Sequence, residues 1–402
     1  MFFHRVFLSF SPKTIKHMKG DIAMSQCNDS FQTQFSTFDD MLGFHSELSS
    51  KTRWLHVPLA SLSFYPLDRD SDLSDIPLPF HPDVSEEAVT DTTENSRLAV
   101  SVNGYLWPVR DTAYKTILER ARVNGNSLPK ISKDLLSGIL TNCCQLYGED
   151  TLVLIRDQKV SAIHGGDEKD YSVLPVDSLL KILQNSLNAR FPGNRFLSGY
   201  TDHALISAKW SMPEQTEELI GTYLSRLGST GDALLAEKLT PCVAFSTSDT
   251  GISGAKVSAF LCGKRTTVNI GGCIRVDHRS KKTVEDFENA LDGLFAKFGD
   301  SVARLIKLME IELEYPVNAM TRVCKALKMP SKPACEAVAM FEMTTGNGPA
   351  TAHDVYIAMQ EILFLCRVNG MPENKLMLIS ENLTRALTLK WSEFDLAKGV
   401  NL

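Results

Sequence analysis

The chain has 402 residues, of which 43% are hydrophobic and 22% are charged, and its formal net charge is −6 at pH 7. These values are ordinary for a globular protein, and the length predicts one large domain or two closely packed ones. The longest uninterrupted apolar stretches, such as residues 362–366, are far too short for a transmembrane helix, so we expect no membrane partner.

The amino terminus, residues 1–23, is basic and partly apolar, but it contains neither a continuous apolar core nor a small-residue cleavage site. Lys19-Gly20-Asp21 can be encoded by a purine-rich sequence of the kind that binds bacterial ribosomes, a few bases before Met24. We therefore expect translation to begin at Met24, which would leave residues 1–23 outside the protein.

The following segment, residues 24–65, is predicted to be partly helical because its apolar residues recur at three-to-four spacing. These residues are Phe31, Phe35, Phe38, Met41, Leu42 and Phe44. Residues 66–96 then combine four prolines with nine acidic residues, which are opposed by Arg69 alone. Such a composition buries little apolar surface, so we expect an acidic linker or a loosely held surface segment.

The middle of the chain, residues 98–277, is predicted to be rich in antiparallel strands. Asn103-Gly104 favours a tight turn between strands at 98–102 and 105–109, because both residues adopt positive φ angles at little cost. Short strands are predicted to continue to residue 277, with helical spacing at residues 113–122 and 133–145 only.

After residue 283 the apolar residues return every three to four positions, which predicts a helical region over residues 283–395. A strand-rich region followed by helices indicates an α+β fold rather than a doubly wound sheet. The main domain is therefore placed at residues 97–395.

The nine cysteines do not indicate a disulfide framework, because their number is odd and several lie in apolar runs. Cys242, Cys324 and Cys366 are examples. The sequence therefore predicts a cytoplasmic protein with reduced thiols.

No catalytic or cofactor motif is complete in this sequence. Gly263-Lys264-Arg265-Thr266 resembles the end of a phosphate-binding loop, but position 258 is serine where the first glycine should stand. The nearest approach to a metal-ligand cluster is formed by Cys262, Cys273 and His278, whose spacing favours core thiols and a surface imidazole. We therefore predict no catalytic residue, no metal site and no cofactor.

One charge feature stands out in this acidic chain. Between residues 256 and 282, seven basic residues are opposed by Asp277 alone. They are Lys256, Lys264, Arg265, Arg275, Arg279, Lys281 and Lys282. On one face or edge of a sheet they could neutralise phosphates, so we take them as candidate nucleic-acid-binding residues. Phe260 is the only aromatic residue of the stretch, which favours a solvated face as the alternative.

Three further stretches form a recognisable pattern. They are a hairpin leading into a helix at residues 98–122, the run Gly199-Tyr200-Thr201-Asp202-His203 before a strand, and Thr351-Ala352-His353-Asp354 at a helix start. Together they resemble the phage- and plasmid-associated proteins of domain-of-unknown-function family 932, over roughly residues 97–395. Phe245-Ser246-Thr247-Ser248-Asp249 departs from the usual pattern of that family. The resemblance implies a prophage or plasmid protein of the bacterial cytoplasm and supplies no established activity or catalytic residue.

The sequence therefore favours a non-enzymatic protein of a mobile genetic element that binds or anneals single-stranded DNA through residues 256–282. One alternative is a protein-interaction or counter-defence factor that contacts host or phage proteins through the acidic segment or an exposed apolar face. The other is an enzyme acting on nucleic acid, which would require four turn residues to share one pocket: Asp202, His203, Asp249 and His278.

Overall fold

A computed structural model describes residues 25–67, 77–125, 127–230, 238–264, 266–346 and 348–402, without the side chains of Pro129, Thr230 and Cys273. The predicted start at Met24 and the first part of the acidic segment, residues 68–76, lie outside the described residues. So does Arg265, one of the seven candidate basic residues.

The largest sheet is antiparallel and has six strands in the order β1-β8-β9-β10-β11-β12. Their bounds are β1 Gln32–Phe35, β8 Arg195–Asp202, β9 Ile206–Ser211, β10 Thr240–Thr247, β11 Ala255–Cys262 and β12 Thr267–Val276. All neighbours except β1 and β8 follow one another in the chain, so most of the sheet is a meander built from short connections. The strand β12 lies at the edge of this sheet.

Two smaller antiparallel sheets lie in the first half of the chain, in the orders β2-β6-β7 and β3-β4-β5. Their strands are β2 Arg53–Pro58, β3 Ser63–Pro66, β4 Leu98–Val102, β5 Tyr105–Pro108, β6 Asp150–Arg156 and β7 Lys159–Gly165. Asn103 and Gly104 connect β4 to β5 with φ angles of 52° and 82°, which confirms the predicted tight turn. Asp157 and Gln158 make the equivalent turn between β6 and β7 with φ angles of 48° and 69°.

Helices surround these sheets and dominate the last third of the chain. Before residue 231 they are α1 Phe38–Lys51, α2 Glu86–Glu94, α3 Tyr114–Arg120, α4 Lys133–Gln145, α5 Val176–Arg190 and α6 Thr216–Thr230. After residue 283 they are α7 Val284–Leu291, α8 Leu294–Leu308, α9 Pro316–Ala326, α10 Ser331–Thr345, α11 Ala352–Met359, α12 Glu361–Val368 and α13 Glu373–Thr384. A two-stranded pair, β13 Glu312–Leu313 with β14 Ala350–Thr351, lies between α8 and α11. The α+β fold with a helical carboxyl-terminal region is confirmed.

Two cores hold the fold together. The large core packs the helices α5 to α8 against the six-stranded sheet, where Trp210 and Phe245 are fully buried and Phe245 meets Phe287 of α7 at a ring distance of 5.9 Å. The small core packs α3 and α4 against the two three-stranded sheets, around Leu98, Val153 and other aliphatic residues. Each core buries many large apolar side chains, and this burial is the main stabilising contribution to both regions.

The amino-terminal segment differs from the predicted division into segment, linker and domain. The helix α1 confirms the partly helical prediction for residues 24–65, but β1, β2 and β3 of the same segment pair with β8, β6 and β4. Backbone hydrogen bonding to strands far along the chain therefore joins this segment to the main domain. Apolar spacing within the segment could not reveal those long-range partners.

The second part of the acidic segment is folded rather than a loosely held linker. Ser85 caps the helix α2 by accepting a hydrogen bond from the Ala88 amide, and Ala88 and Thr92 are fully buried. The carboxylate of Asp91 pairs with the buried ammonium of Lys159, which also contacts Asp29 at 3.0 Å. Ion pairing with buried cations, which a count of charges cannot reveal, therefore holds α2 against the small core.

The same buried ionic network includes a second cation. The guanidinium of Arg110 is fully buried and donates to Asp29 at 3.1 Å and to the carbonyl oxygens of Cys27 and Asn28 at 3.4 Å. Arg110 and Lys159 thus share the carboxylate of Asp29, which joins the amino-terminal turn to the small core.

Two helical predictions also need correction. The helices α5 and α6 lie within the region predicted to be mainly strands. The long apolar stripe after residue 283 is divided into α7 and α8 at Asp292 and Gly293. In the part of the chain that the structure describes, no helix is long and apolar enough to cross a membrane.

Candidate nucleic-acid interface

Lys256 and Arg275, two of the candidate basic residues, are cross-strand partners on β11 and β12. Their neighbours Val257 and Ile274 are buried in the large core, and side chains alternate between the faces of a strand. Lys256 and Arg275 therefore lie together on the face of the sheet that points away from α5 to α8.

The pairing of β11 with β12 is interrupted twice beside these residues. Ser258 pairs with Gly272 and Ala259 with Gly271, whereas Cys273 and Ile270 have no partner in β11. Each extra residue is a β-bulge, which bends an edge strand and leaves ladder positions unpaired. Gly271 has a φ angle of 123°, which only glycine adopts without strain, and a Cβ there would lie 3.7 Å from Ser301 Oγ.

The helix α13 crosses this bent part of the sheet and leaves a cleft of about 290 Å³. The helix contributes Ser380, Glu381 and Thr384, which share one face because Thr384 follows Ser380 by four residues and Glu381 by three. The strands contribute Lys256, Ser258, Ala259, Asn269, Gly271, Gly272, Ile274 and Arg275. The cleft thus combines two cations, three hydroxyl groups, an amide and the backbone of two glycines.

Hydrogen bonds fix most of the polar groups in this cleft. The ammonium of Lys256 contacts Glu381 Oε1 at 2.5 Å, and Ser380 Oγ donates to Asn269 Oδ1 at 2.9 Å. Asn269 in turn donates to Gln360 Oε1 at 3.1 Å, and Thr384 Oγ1 donates to the Glu381 carbonyl at 2.8 Å. Ser258 Oγ has no hydrogen-bond partner among the described residues. The cleft is therefore rigid at its base and retains a free hydroxyl beside Lys256.

The other candidate residues continue from β12 into the loop that precedes α7. Arg275 and Arg279 flank the carboxylate of Asp277 at 2.7 Å and 3.6 Å, and Lys282 contacts Asp286 at 2.9 Å. Lys264 and Lys281 are exposed and have no ion-pair partner in the described part of the chain. We call Lys256, Lys264, Arg275, Arg279, Lys281 and Lys282 the basic surface.

Four of these six cations are paired with carboxylates, so the surface is less positive than the sequence stretch alone indicated. Glu381 and Asp286 come from helices outside that stretch, and a count of neighbouring charges could not include them. Phe260 is buried at 7% exposure and offers no ring to a base. The basic surface can therefore contact phosphates, but it has no stacking platform among its described residues.

The four turn residues that would indicate an enzyme do not share one pocket. Asp249 and His278 lie in one buried cluster with His164 and Tyr171, whose rings stack at 3.6 Å between centroids. His203 lies apart and donates from Nε2 to the carbonyl of Asn28 at 2.8 Å. Asp202 accepts from the amides of its own turn at residues 204 and 205.

Backbone groups and one ion pair satisfy the polar atoms of the buried cluster. His164 Nε2 donates to the Asp249 carbonyl at 2.7 Å, and Tyr171 donates to the same oxygen at 3.2 Å. His278 Nδ1 donates to the Ser172 carbonyl at 3.2 Å, while Thr247 Oγ1 donates to its Nε2 at 3.0 Å. The Asp249 carboxylate is ion-paired with Arg156. This cluster ties the loop after β10 to β6 and β7.

Burial sets the charge states in this cluster. It lowers the pKa of His164 to about 4 and also lowers the pKa of His278, so both rings are neutral at pH 7. Burial raises the pKa of the Asp249 carboxyl, but the charge of Arg156 and its hydrogen bond to the carboxylate outweigh this effect and hold the pKa below its usual value. Neutral, hydrogen-bonded rings beside an ion-paired carboxylate form a satisfied buried polar network, and such networks make a fold rigid.

The suspected metal-ligand set is not assembled. Cys262 lies opposite Thr267 at one end of the β11–β12 hairpin, whereas His278 follows the other end, where Ala255 meets Val276. Cys262 instead lies beside Cys242, whose thiol and the nearby Lys209 lower the pKa of Cys262 to about 6. Within the described ranges, no group of three or more histidine, cysteine, aspartate or glutamate residues could hold a metal ion.

The cleft is the part of this site that the sequence did not reveal. Adjacent glycines at 271 and 272 were the available signal, since glycine inside a strand often marks a bulge or a close approach. The contribution of α13 had no sequence signal, because Ser380, Glu381 and Thr384 are ordinary residues of an exposed helix face. No family model, curated protein or solved structure matches this chain, so the site is assigned from its geometry alone.

Proposed function

We propose that this chain binds single-stranded DNA through the basic surface and acts in the maintenance or recombination of a bacterial mobile element. The observation that carries the DNA part is the pairing of Lys256 with Arg275 at the cleft between β11, β12 and α13. The mobile-element part rests on the resemblance to the phage- and plasmid-associated family.

The size of the cleft favours a single strand over a duplex. A volume of about 290 Å³ suits one small ligand group. A duplex, whose major groove alone is about 12 Å wide, cannot enter such a space. A flexible single strand can place one phosphate in the cleft and lay the next phosphates along the loop that carries Arg279 and Lys281.

The ion pairs outside the cleft do not prevent such binding. The side chains of Arg275, Arg279 and Lys282 are 58%, 66% and 45% exposed. Exposed ion pairs contribute only about 0 to 1 kcal/mol, so a phosphate can replace the carboxylate at little cost. The carboxylates therefore hold these cations in place, and a phosphate can still replace the carboxylates.

The lack of a stacking ring predicts how the strand is recognised. Contacts to phosphates carry no sequence information, so affinity should be similar for strands of different base composition. It should also fall steeply with salt, since each neutralised phosphate of a single strand contributes about −0.7 to the logarithmic slope.

A salt titration of DNA affinity tests the proposal. Fluorescence anisotropy of a labelled oligothymidylate should show binding at low salt, and replacing Arg275, Arg279 and Lys281 by glutamine should flatten the slope by about 2. The matched control replaces three exposed cations of the small-core region, Arg53, Lys115 and Arg122, with the same loss of charge. Equal effects of the two triple variants, or no binding by the wild type, would contradict the proposal.

The genomic setting provides a test of the mobile-element part. Recombination or replication genes of a phage or plasmid beside the coding sequence would support it. A conserved position among housekeeping genes would contradict it, whatever the protein binds.

Protein interaction is a second candidate, because α10 and α12 carry large exposed apolar side chains. Met343 is 87% exposed, Val368 is 68% exposed and Phe364 is 56% exposed. Large exposed apolar side chains of this kind are typical of contact surfaces. Self-association is the simplest form: sedimentation should show concentration-dependent assembly that Phe364→Ser and Val368→Ser abolish, and a monomer at all concentrations would reject it.

A further inference from the structure

We infer that the cleft between β11, β12 and α13 is a specific subsite for a phosphate group, either of a free nucleotide or at one position of a bound strand. The inference rests on the proposed function, since it assigns one phosphate of the strand to this cleft. The rest of the basic surface is exposed, whereas the cleft lies between the paired strands β11 and β12 and the helix α13.

The side chains that can donate to a ligand in the cleft come from both strands. Ser258 Oγ has no hydrogen-bond partner in the described ranges, and it follows Lys256 by two residues on the same face of β11. Arg275 uses its Nε for Asp277 and retains its terminal nitrogens for another acceptor. A phosphate offers several acceptor oxygens and matches such a set of charged and hydroxyl donors.

The β-bulges open space beside the cations, and ion pairing alone would not need such space. Two extra residues within four positions bend β12 next to the cleft, and Gly271-Gly272 lies between them. Glycine lets a ligand approach the backbone closely, and bulged backbone leaves amide groups outside the ladder. The bend and the missing side chains together open the space that the ligand would occupy.

Glu381 would compete with a bound phosphate for Lys256 in this cleft. Its carboxylate contacts Lys256 at 2.5 Å, and the side chain is 38% exposed. A terminal phosphate, such as that of a free nucleotide, carries more negative charge than one carboxylate and has more acceptor atoms. Ligand binding would therefore transfer Lys256 from Glu381 to the phosphate, while Glu381 turns towards solvent on the free face of α13.

Gly272 gives a clean way to block the cleft. A Cβ at this position would meet nothing within 4 Å, and its φ angle is outside the left-handed region. Valine at 272 should therefore fit the strand without strain and project into the space that the phosphate needs. Thr267→Val is the matched control, since Thr267 is exposed on the same strand and does not line the cleft.

Titration calorimetry with thymidine 5′-monophosphate, inorganic phosphate and thymidine tests the inference. Wild-type protein and Thr267→Val should bind the two phosphate compounds saturably and should not bind thymidine. Gly272→Val should lose about tenfold or more in affinity, as expected when hydrogen bonds to a charged group are lost. Circular dichroism and thermal unfolding of Gly272→Val should match those of the control variant.

The outcomes separate this inference from the proposed function. No saturable phosphate binding by the wild type, or equal binding by folded Gly272→Val, overturns the phosphate subsite. Binding of thymidine as strong as that of its monophosphate also overturns it, because the sugar and base would then account for recognition. In the remaining case the wild type binds phosphate, Gly272→Val abolishes that binding, and the wild type does not bind oligothymidylate. This result supports the subsite and overturns only the DNA proposal.

Discussion

Two regions of this molecule use the same residue types for different purposes. In the small-core region, Arg110 and Lys159 are fully buried and share Asp29, with Asp91 completing the network. In the basic surface, Arg275 and Arg279 share Asp277 in a similar way but are more than half exposed. The cations of the two regions have a similar number of carboxylate partners, but those of the small-core region are buried and those of the basic surface are exposed.

The difference shows that burial, rather than pairing, decides what a cation does. A buried ion pair loses its hydration, so removing one partner leaves an uncompensated charge in the interior. An exposed pair keeps its hydration and exchanges partners freely. Cations of the first kind hold the fold together, and those of the second kind are available to a ligand. The following predictions test this contrast, from the largest expected effect to the smallest.

Breaking the buried network should have the largest effect. Lys159→Met leaves the carboxylates of Asp29 and Asp91 without their shared ammonium, and we expect a loss of about 3 to 5 kcal/mol in the free energy of unfolding. Urea unfolding followed by circular dichroism measures it. A loss below about 1 kcal/mol would show that burial does not distinguish the two regions.

Acidification should destabilise the protein through its buried histidines. Burial lowers the pKa of His164 to about 4 from an ordinary value of 6.5. Between these values the unfolded chain binds a proton that the folded ring does not, so the free energy of unfolding falls as pH falls, by about 1.4 kcal/mol per pH unit for one histidine. This contribution is complete above pH 6.5 and lost near pH 4.

Urea unfolding of the wild type and of His164→Phe across this pH window measures the effect. The variant should show a shallower slope, while His45, His203 and His278, whose pKa values burial also lowers, keep part of the slope in both proteins. Asp249 does not interfere, because its lowered pKa affects stability only below its ordinary value of 3.8. Identical slopes would mean that His164 binds a proton in the folded protein as readily as in the unfolded chain.

Removing the competitor should strengthen binding at the cleft. Glu381→Gln frees Lys256 from its carboxylate, and we expect a gain of about 0.5 to 1 kcal/mol in the binding of oligothymidylate, or about two- to fivefold in affinity. Fluorescence anisotropy at low salt measures it. Glu393→Gln is the control, since Glu393 is paired with exposed Lys390 and does not line the cleft. Equal gains for both variants would indicate a general effect of net charge.

Removing an exposed cation should have the smallest effect on stability. Lys282→Gln loses an exposed pair with Asp286 at the start of α7, and we expect a change within about 0.5 kcal/mol in the free energy of unfolding. The same urea experiment compares it directly with Lys159→Met. A loss of similar size for both lysines would remove the distinction between the regions.

Local sequence signals predicted those parts of the fold that depend on neighbouring residues. The turn at Asn103 and Gly104 and the strand pair on either side of Asp157 follow from backbone preferences, and the apolar spacing after residue 283 follows from helix geometry. The helices α5 and α6 were missed, although α5 buries Leu179, Leu180, Leu183 and Leu187 at helical spacing.

The parts that could not be predicted depend on contacts between distant residues. Asp91 belongs to an acidic run in the sequence, yet its partner Lys159 is 68 positions away. Lys256 and Arg275 were named as site residues, but the cleft exists only because α13 places Glu381 125 positions beyond Lys256. Charge counting therefore identified these basic residues in the sequence but could not tell which of them are paired with distant carboxylates.

Hydrogen–deuterium exchange with and without an oligothymidylate at low salt tests the central claim most directly. We predict slower exchange in peptides that cover β12 and α13 when DNA is added, with no change in peptides that cover α2 and β7 of the buried network. Unchanged exchange over β12 and α13, or protection centred on the small-core region, would contradict the assignment of the basic surface as the DNA-binding site.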